Sequence, residues 1–538
     1  MATLNSTRSA PVDEAGVRLE GGWRALMRLP VELDVAKADW SSDRIEENPE
    51  LALAHAFQLA KVGDPSRSRN LLNRFRSLIE EGRLRGSGLE SDFILVDTHV
   101  RVYEDRLDAE ADTGQLNHLL LQLPPDDRIG QALTLNHLSS LALRLGEFDT
   151  AQHHAEQAIR LYKQDGAEFG SLHLHTHLGQ IRMMRGDLSG AERQYDEMES
   201  CLAELPGNPE GLRAICKALK SEVAYEMNEL DAAEDLLSDA MQIVEDADAW
   251  PDVLAASYRV RIRLAFVRAG LPGALTELSH AESTAHGRNL PRLASLMRIE
   301  RIRALTLSDE PSEALKAMGD IGVSVDNLSS RQAESNWELR HGTTNVAIAR
   351  WLVRTRRSKQ AIGFLDIAEE IAIRGSQLLS LAKLRVIRAN AHWRLNARMD
   401  ATGALLSAIR LLRNQPFRRF ILDEGIELQP VVQAALNGYH ARGSISAWHR
   451  RRLAEIMHSW SAGRNMSGDS GIKRERARIH RQYLGLLALG YSNKEIGRTM
   501  GVSENTVKYH LKQLYLDLQV DNRTRAVHCA REQGLLDS

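Results

Sequence analysis

The sequence runs to 538 residues with a formal net charge of −3 at pH 7, 5% aromatic residues and 14 prolines. Leucine, alanine, arginine and glutamate abound, which predicts an all-α chain long enough for several domains or one long repeat array. The mild acidity excludes a general nucleic-acid coat. Three cysteines (Cys201, Cys216, Cys529) give neither a metal-ligand spacing nor a disulfide framework, and no apolar run is long enough for a membrane-spanning helix.

In chain order, residues 1–10 are rich in Ser and Thr with no apolar segment behind them, so 1–20 is expected to be a disordered tail and not a signal peptide. The cysteine usage suits a reducing cytoplasm, which is the expected location. Residues 21–458 are expected to form one repeat domain. A small residue recurs after a turn-like dipeptide at Ser68, Ala111, Ala151, Ala191, Ala233, Ala274, Ala314, Ala361 and Ala404, in steps of 43, 40, 40, 42, 41, 40, 47 and 43 residues. Leu145-Gly146-Glu147-Phe148-Asp149-Thr150-Ala151 is one instance. Each marker follows one amphipathic run and begins another, which predicts about nine helical hairpins between residues 50 and 430. A lone hairpin cannot bury its apolar face, but stacked hairpins can.

This pattern resembles a tetratricopeptide-like array. Its period near 41 residues exceeds the usual 34 and is similar to the longer repeats of MalT-type regulators. The segment Phe417-Arg418-Arg419-Phe420-Ile421-Leu422-Asp423-Glu424-Gly425 resembles the one that ends the superhelical region in that family. Tetratricopeptide repeats line their concave surface with the first helix of each pair. Counting back eleven positions from three successive markers gives Arg263, Arg303 and Arg350, and Arg259 lies one helical turn from Arg263. A guanidinium ladder there would suit a carboxylate, a phosphate or an acidic peptide. The plainer alternative pairs these arginines with glutamates of neighbouring repeats.

Other chemistry is not expected. His173 and His177 share a helix face, but no cysteine or carboxylate stands at matching spacing, so no metal site is predicted. No Gly-x-Ser-x-Gly elbow occurs, and no enzyme activity is expected. MalT-type regulators normally carry an N-terminal nucleotide-binding ATPase module. No Gly-x-x-x-x-Gly-Lys-Ser/Thr loop occurs in this sequence, and the repeats are expected to start within about 50 residues of its beginning. The resemblance therefore covers the sensor array and the effector domain, and no cofactor is expected.

Ser459 to Ser470 is rich in Ser, Gly, Asn and Asp, and 459–476 is expected to be a linker. Residues 477–538 then read as a four-helix unit. A first helix from about Ile479 to Leu489 presents Tyr483, Leu484, Leu486 and Leu487, and Gly490 ends it. Ser492 and Glu495 have capping-box spacing, so a second helix should begin at Asn493 and bury Ile496 and Met500. Gly501 allows a sharp turn, and Ser503 would cap a third helix with Val507, Leu511, Leu514 and Leu518 as its core stripe. Asp521 or Asn522 would cap a fourth helix over 523–533. Helix, tight turn and helix form the layout of a helix-turn-helix DNA reader. Residues 471–538 hold 12 Lys and Arg against 7 Asp and Glu, a net of +5, which leaves −8 upstream. A basic module on an acidic body fits nucleic-acid contact at one end.

Gly490, Ser492-Asn493-Lys494-Glu495-Ile496, Ser503, Thr506-Val507-Lys508, His510, Leu518, Val520, Arg523, Ala526 and Gly534-Leu535-Leu536 resemble the LuxR-type (GerE- or NarL-like) DNA-binding domain. The resemblance implies that Lys494 touches phosphate and that Asn505, Thr506, Lys508, Tyr509 and Lys512 line the DNA face. It also implies a dimer on a two-fold operator in double-stranded DNA, and activation by recruiting RNA polymerase in a bacterial cell. The array would sense a small-molecule or protein effector. The competing expectation is a tetratricopeptide adaptor with a vestigial helix-turn-helix. The sequence departs from the family at Ala477, Ile479 and His480, where a Thr cap and an Arg-Glu pair are usual. It departs again at Gly497, which costs about 0.5–1 kcal/mol inside a helix, and at Asp517, an acid near expected phosphates.

Overall fold

The computed structural model describes residues 17, 21–28, 33, 40–84, 86, 88–205, 209–246, 249–324, 343–412, 414–438, 445–467, 482–500, 504–518, 520 and 522–532. Among the described residues the secondary structure is helical throughout. Among them, nine helical hairpins follow one another from Pro49–Lys61 paired with Pro65–Glu80 to Leu378–Arg394 paired with Arg398–Leu411. The sixth hairpin is a single helical run, Pro251–Gly287, broken where Gly270 takes φ 66° ahead of Pro272.

Each hairpin turns through a residue in left-handed backbone. Gly63, Gly146 and Gly186 supply it without a steric cost, and Asn228, Asp309, Arg356 and Asn396 do so in later repeats. Five residues after that turn stands the small residue that lets the return helix approach. Ser68, Ala151, Ala191, Ala233, Ala314 and Ala361 are fully buried there, and Ala274 is buried in the kinked hairpin. Two markers are misplaced by the sequence reading. In the last hairpin Ala401, five after Asn396, is the buried residue, and Ala404 is only partly covered. In the second, Ala111 is exposed and the buried position is Asp112. That carboxylate accepts hydrogen bonds from Arg101 at 2.6 and 2.9 Å and from the Asp108 amide at 2.7 Å. A charge clamp thus replaces a small side chain.

The array closes on itself. The Ser189 amide donates to Gln415 Oε1 at 2.9 Å, the Arg418 amide donates to the Glu226 carbonyl at 2.9 Å, and Arg419 Nη1 reaches Asn228 Oδ1 at 3.1 Å. Phe417, Phe420 and Ile421 are buried beside these bonds. At the other end Arg24 pairs with Asp127 at 2.6 Å and Arg28 with Asp165 at 2.9 Å. Val17 is buried against the same core, so the expected disordered tail does not extend over it. The rest of 1–20 lies outside the described residues.

The expected linker is corrected as well. A helix, Ala447–Ser467, runs through its first nine positions. Leu453 and Ile456 are fully buried, and Trp448, Met457 and Trp460 pack against the array core at helical spacing. That apolar stripe carries the helix past Ser459 despite the polar composition. Residues 468–481 lie outside the described residues, and the family departures at Ala477, Ile479 and His480 fall among them.

Candidate nucleic-acid interface and axial cavity

The C-terminal unit is built by local rules. The first helix is described over 482–488, and Gly490 ends it with φ 84°. Ser492 then forms the expected capping box: its amide donates to Glu495 Oε2 at 2.7 Å, and the Glu495 amide donates back to Ser492 Oγ at 3.3 Å. The Ser492 hydroxyl also donates to Glu495 Oε2, at 2.7 Å, and this bond first, then the one from the Ser492 amide, holds the Glu495 carboxyl below its usual range. The second helix, Asn493–Met500, buries Ile496 and Gly497. The third, Glu504–Asp517, buries Val507, Leu511 and Leu514 against Tyr483, Leu484 and Leu487, with Leu518 and Met500 partly covered. Gly501 and Ser503 lie outside the described residues. The fourth helix is Arg523–Glu532, and Asn522 Oδ1 caps it by accepting from the Arg525 amide at 2.9 Å.

With the apolar stripe turned inward, Lys508 and Lys512 are exposed on the third helix and Lys494 is exposed on the second. Lys508 Nζ rests 2.8 Å from Glu504 one turn earlier, and this contact lowers the Glu504 pKa. Asn505, Thr506 and Tyr509 belong to the same helical backbone, but their side chains, like that of Asp517, lie outside the described residues. His510 is fully buried, with its ring 4.7 Å from that of Tyr483, so it packs and does not face outward. One residue quoted only for its resemblance has a structural task. Arg523 donates to the Leu487 carbonyl at 2.8 Å and to the Tyr491 carbonyl at 2.7 Å, which ties the fourth helix to the end of the first. Its distance from Leu487 in the sequence hid that role.

Comparison with known proteins matches two stretches of the chain. Residues 99–437 match the family described as MalT-like TPR region, and residues 478–530 match the family described as bacterial regulatory proteins, luxR family. The chain belongs to the MalT-like TPR family. Among similar proteins, the HTH-type transcriptional regulator AlkS of Ectopseudomonas oleovorans is 23% identical over 76% of this chain and 44% of its own length. The HTH-type transcriptional regulator MalT of Serratia proteamaculans (strain 568) is 22% identical over 91% of this chain and 54% of its own length. The putative HTH-type transcriptional regulator YhjB of Escherichia coli (strain K12) is 56% identical over 46 residues, 9% of this chain and 23% of its own. The chain spans about half the length of the MalT and AlkS relatives it matches.

Along the axis of this MalT-like array the four sequence-selected arginines come together. Arg259, Arg263, Arg303 and Arg350 all line one cavity of about 50 Å³. Each has a carboxylate partner. Arg263 grips Glu300 with two bonds of 2.6 and 3.0 Å, and Arg350 grips Glu424 with Nε at 3.0 and 3.1 Å. Arg303 stands 3.1 Å from Asp423, and Arg259 pairs with Glu222. Lys383 reaches Glu226 at 2.8 Å, and the Tyr225 hydroxyl donates to Asp423 at 2.9 Å. Burial raises the Glu300 carboxyl, but Arg263, Arg303 and Arg259 outweigh it and hold the pKa at about 2. Asp423 is likewise held well below the usual range against burial, chiefly by Arg419. The open ladder expected from the sequence is thus charge-matched, and an anion entering here would have to displace Asp423 or Glu424. Spacing alone showed the arginines. It did not show that the Asp423-Glu424 pair folds back to meet Arg303 and Arg350, which precede it by 120 and 74 positions.

His173 and His177, and His175 between them, are engaged with other side chains. His177 Nδ1 lies 3.1 Å from Ser139 Oγ, His175 Nδ1 lies 2.6 Å from Gln194 Nε2, and the His173 ring approaches Trp250 at 6.3 Å. Among the described residues no cluster of His, Cys, Asp or Glu could hold a metal ion, and no helix is long and apolar enough to cross a membrane.

Proposed function

We propose that the protein is a sequence-specific DNA-binding transcriptional regulator whose helical array receives a signal. The observation that carries this reading is the third helix of the C-terminal unit, with Val507, Leu511 and Leu514 turned inward and Lys508 and Lys512 left to solvent. Supporting it are the match to the luxR family and the names of the relatives, which are HTH-type transcriptional regulators. In this reading Lys494 and Lys508 hold phosphate oxygens, Lys512 continues that line, and Asn505, Thr506 and Tyr509 approach base edges. Two copies would meet a two-fold operator, and recruitment of RNA polymerase is the mode of action that the resemblance implies.

The test is binding of the full chain to genomic fragments at several salt concentrations. Affinity should fall with salt at about 0.9 log unit per phosphate contact for each log unit of salt. Lys508→Ala should weaken binding to all fragments. Asn505→Ala should change the preference among them by ~1–3 kcal/mol where the contact is to a base. Binding with no preference among fragments would leave the repeat array as an adaptor and end the regulator reading.

A further inference from the structure

A second cavity adjoins the first and shares Met183, Met184, Glu222, Arg259 and Thr343 with it. Its volume is about 70 Å³, room for on the order of five water-sized groups. Phe148, Trp250, Met183 and Leu296 give it an apolar lining. Arg144, on the last turn of the Arg128–Leu145 helix, stands in its wall and is only 9% exposed.

Arg144 differs from every arginine of the first cavity. Its nearest carboxylate, Asp252, is 3.8 Å away, beyond hydrogen-bond range. Both Asp252 oxygens already accept from Arg292, at 2.6 and 2.7 Å. The Arg144 Nε and Nη2 atoms are buried and make no hydrogen bond among the described residues. Arg259, in the same wall, is closed off by Glu222. Burial first, and then the charge of Arg292, pull the Arg144 pKa down to about 10, which still leaves it charged at neutral pH. A buried guanidinium with unmet donors is costly, and an anion beside it would offset that cost.

We propose that this cavity is a binding site for a short-chain monocarboxylate, with Arg144 as its charge partner. The planar guanidinium fork matches a carboxylate, and the aromatic and aliphatic walls suit a short alkyl body. One guanidinium balances one negative charge. A phosphate dianion would add a second beside Glu222 and Asp252, which also line the wall. The site gains a regulatory meaning from the proposed sensing role, but the binding itself does not depend on that role.

The experiment is calorimetric titration of the full chain, without DNA, using butyrate, butyramide and inorganic phosphate as probes. Butyrate should bind saturably, and neutral butyramide about tenfold or more weaker. Arg144→Met should lose butyrate binding by a similar factor while melting no lower than the parent, because it removes an under-paired buried charge. Equal affinity for butyrate and butyramide, undiminished butyrate binding by Arg144→Met, phosphate binding tighter than butyrate, or no saturable binding at concentrations on the order of 10 mM would each overturn the assignment. Should Arg144→Met fail to fold, the comparison of butyrate with butyramide on the unmodified chain decides alone. Since no DNA is present, this outcome is separate from that of the operator-binding test.

Discussion

Gly179 shows how little room a single position in this array has. A Cβ added there would fall well inside van der Waals contact with the ring of Tyr195, which is itself fully buried. Gly179→Ala should therefore cost about 1–3 kcal/mol through forced movement of the ring, read as a lower denaturation midpoint. The buried histidines make a second case. Burial above all, then His177 and Arg144, lowers His137 to about 3, and burial lowers His177 to about 4 against the opposing charge of Asp252. Both stay neutral in the fold while the unfolded chain takes up protons below about pH 6.5. The unfolded state then binds more protons, so stability falls as pH drops from about 6.5 toward those values, by up to about 1.4 kcal/mol per unit per histidine. The carboxylates held low by arginine, such as Glu300, add a further loss below about pH 4.5. Melting temperatures measured from pH 7 to pH 4 should decline throughout; a flat profile between pH 6.5 and 5 would show that these rings are solvated.

At the scale of elements, the C-terminal unit depends on short-range rules, and those were legible. The capping box at Ser492 and Glu495, the end at Gly490 and the stripe through Val507, Leu511 and Leu514 each need only neighbours within one or two turns. Ser492→Ala should remove about 1 kcal/mol from the second helix and lower helicity together with the proposed DNA affinity. In the array the period was legible but its phase was not. The left-handed turn falls on Gly in some repeats and on Asn, Asp or Arg in others, so the sequence marks it unevenly. Hence Ala404 drew attention where Ala401 is the buried residue, and Ala111 where Asp112 is. The linker was misread because a polar composition hid the stripe Leu453, Ile456 and Trp460, which reaches forward from a packed helix.

For the whole molecule, the arginine ladder teaches that pattern locates charge but not its balance. Arg263, Arg303 and Arg350 repeat visibly, whereas Asp423 and Glu424 occur once and reach them only because the array curls back. Asp423→Asn would leave Arg303 and Arg419 facing a neutral amide. That should cost about 3–5 kcal/mol, as expected when one partner of a buried pair is lost, and it is measurable as a drop in melting temperature. Replacement of an exposed partner such as Glu313, which pairs with Lys316, should change little.

The fold-back of 417–424 also bears on synthesis. An open solenoid gains stability one neighbour at a time as it leaves the ribosome. Here Gly186 and Asn228 wait for partners encoded near residues 412 and 419. The early repeats therefore emerge with their axial face uncovered, and closing so long a loop comes late in folding. Nascent chains halted before Phe417 should be cut readily by protease within the middle repeats, and chains released past Gly425 should not.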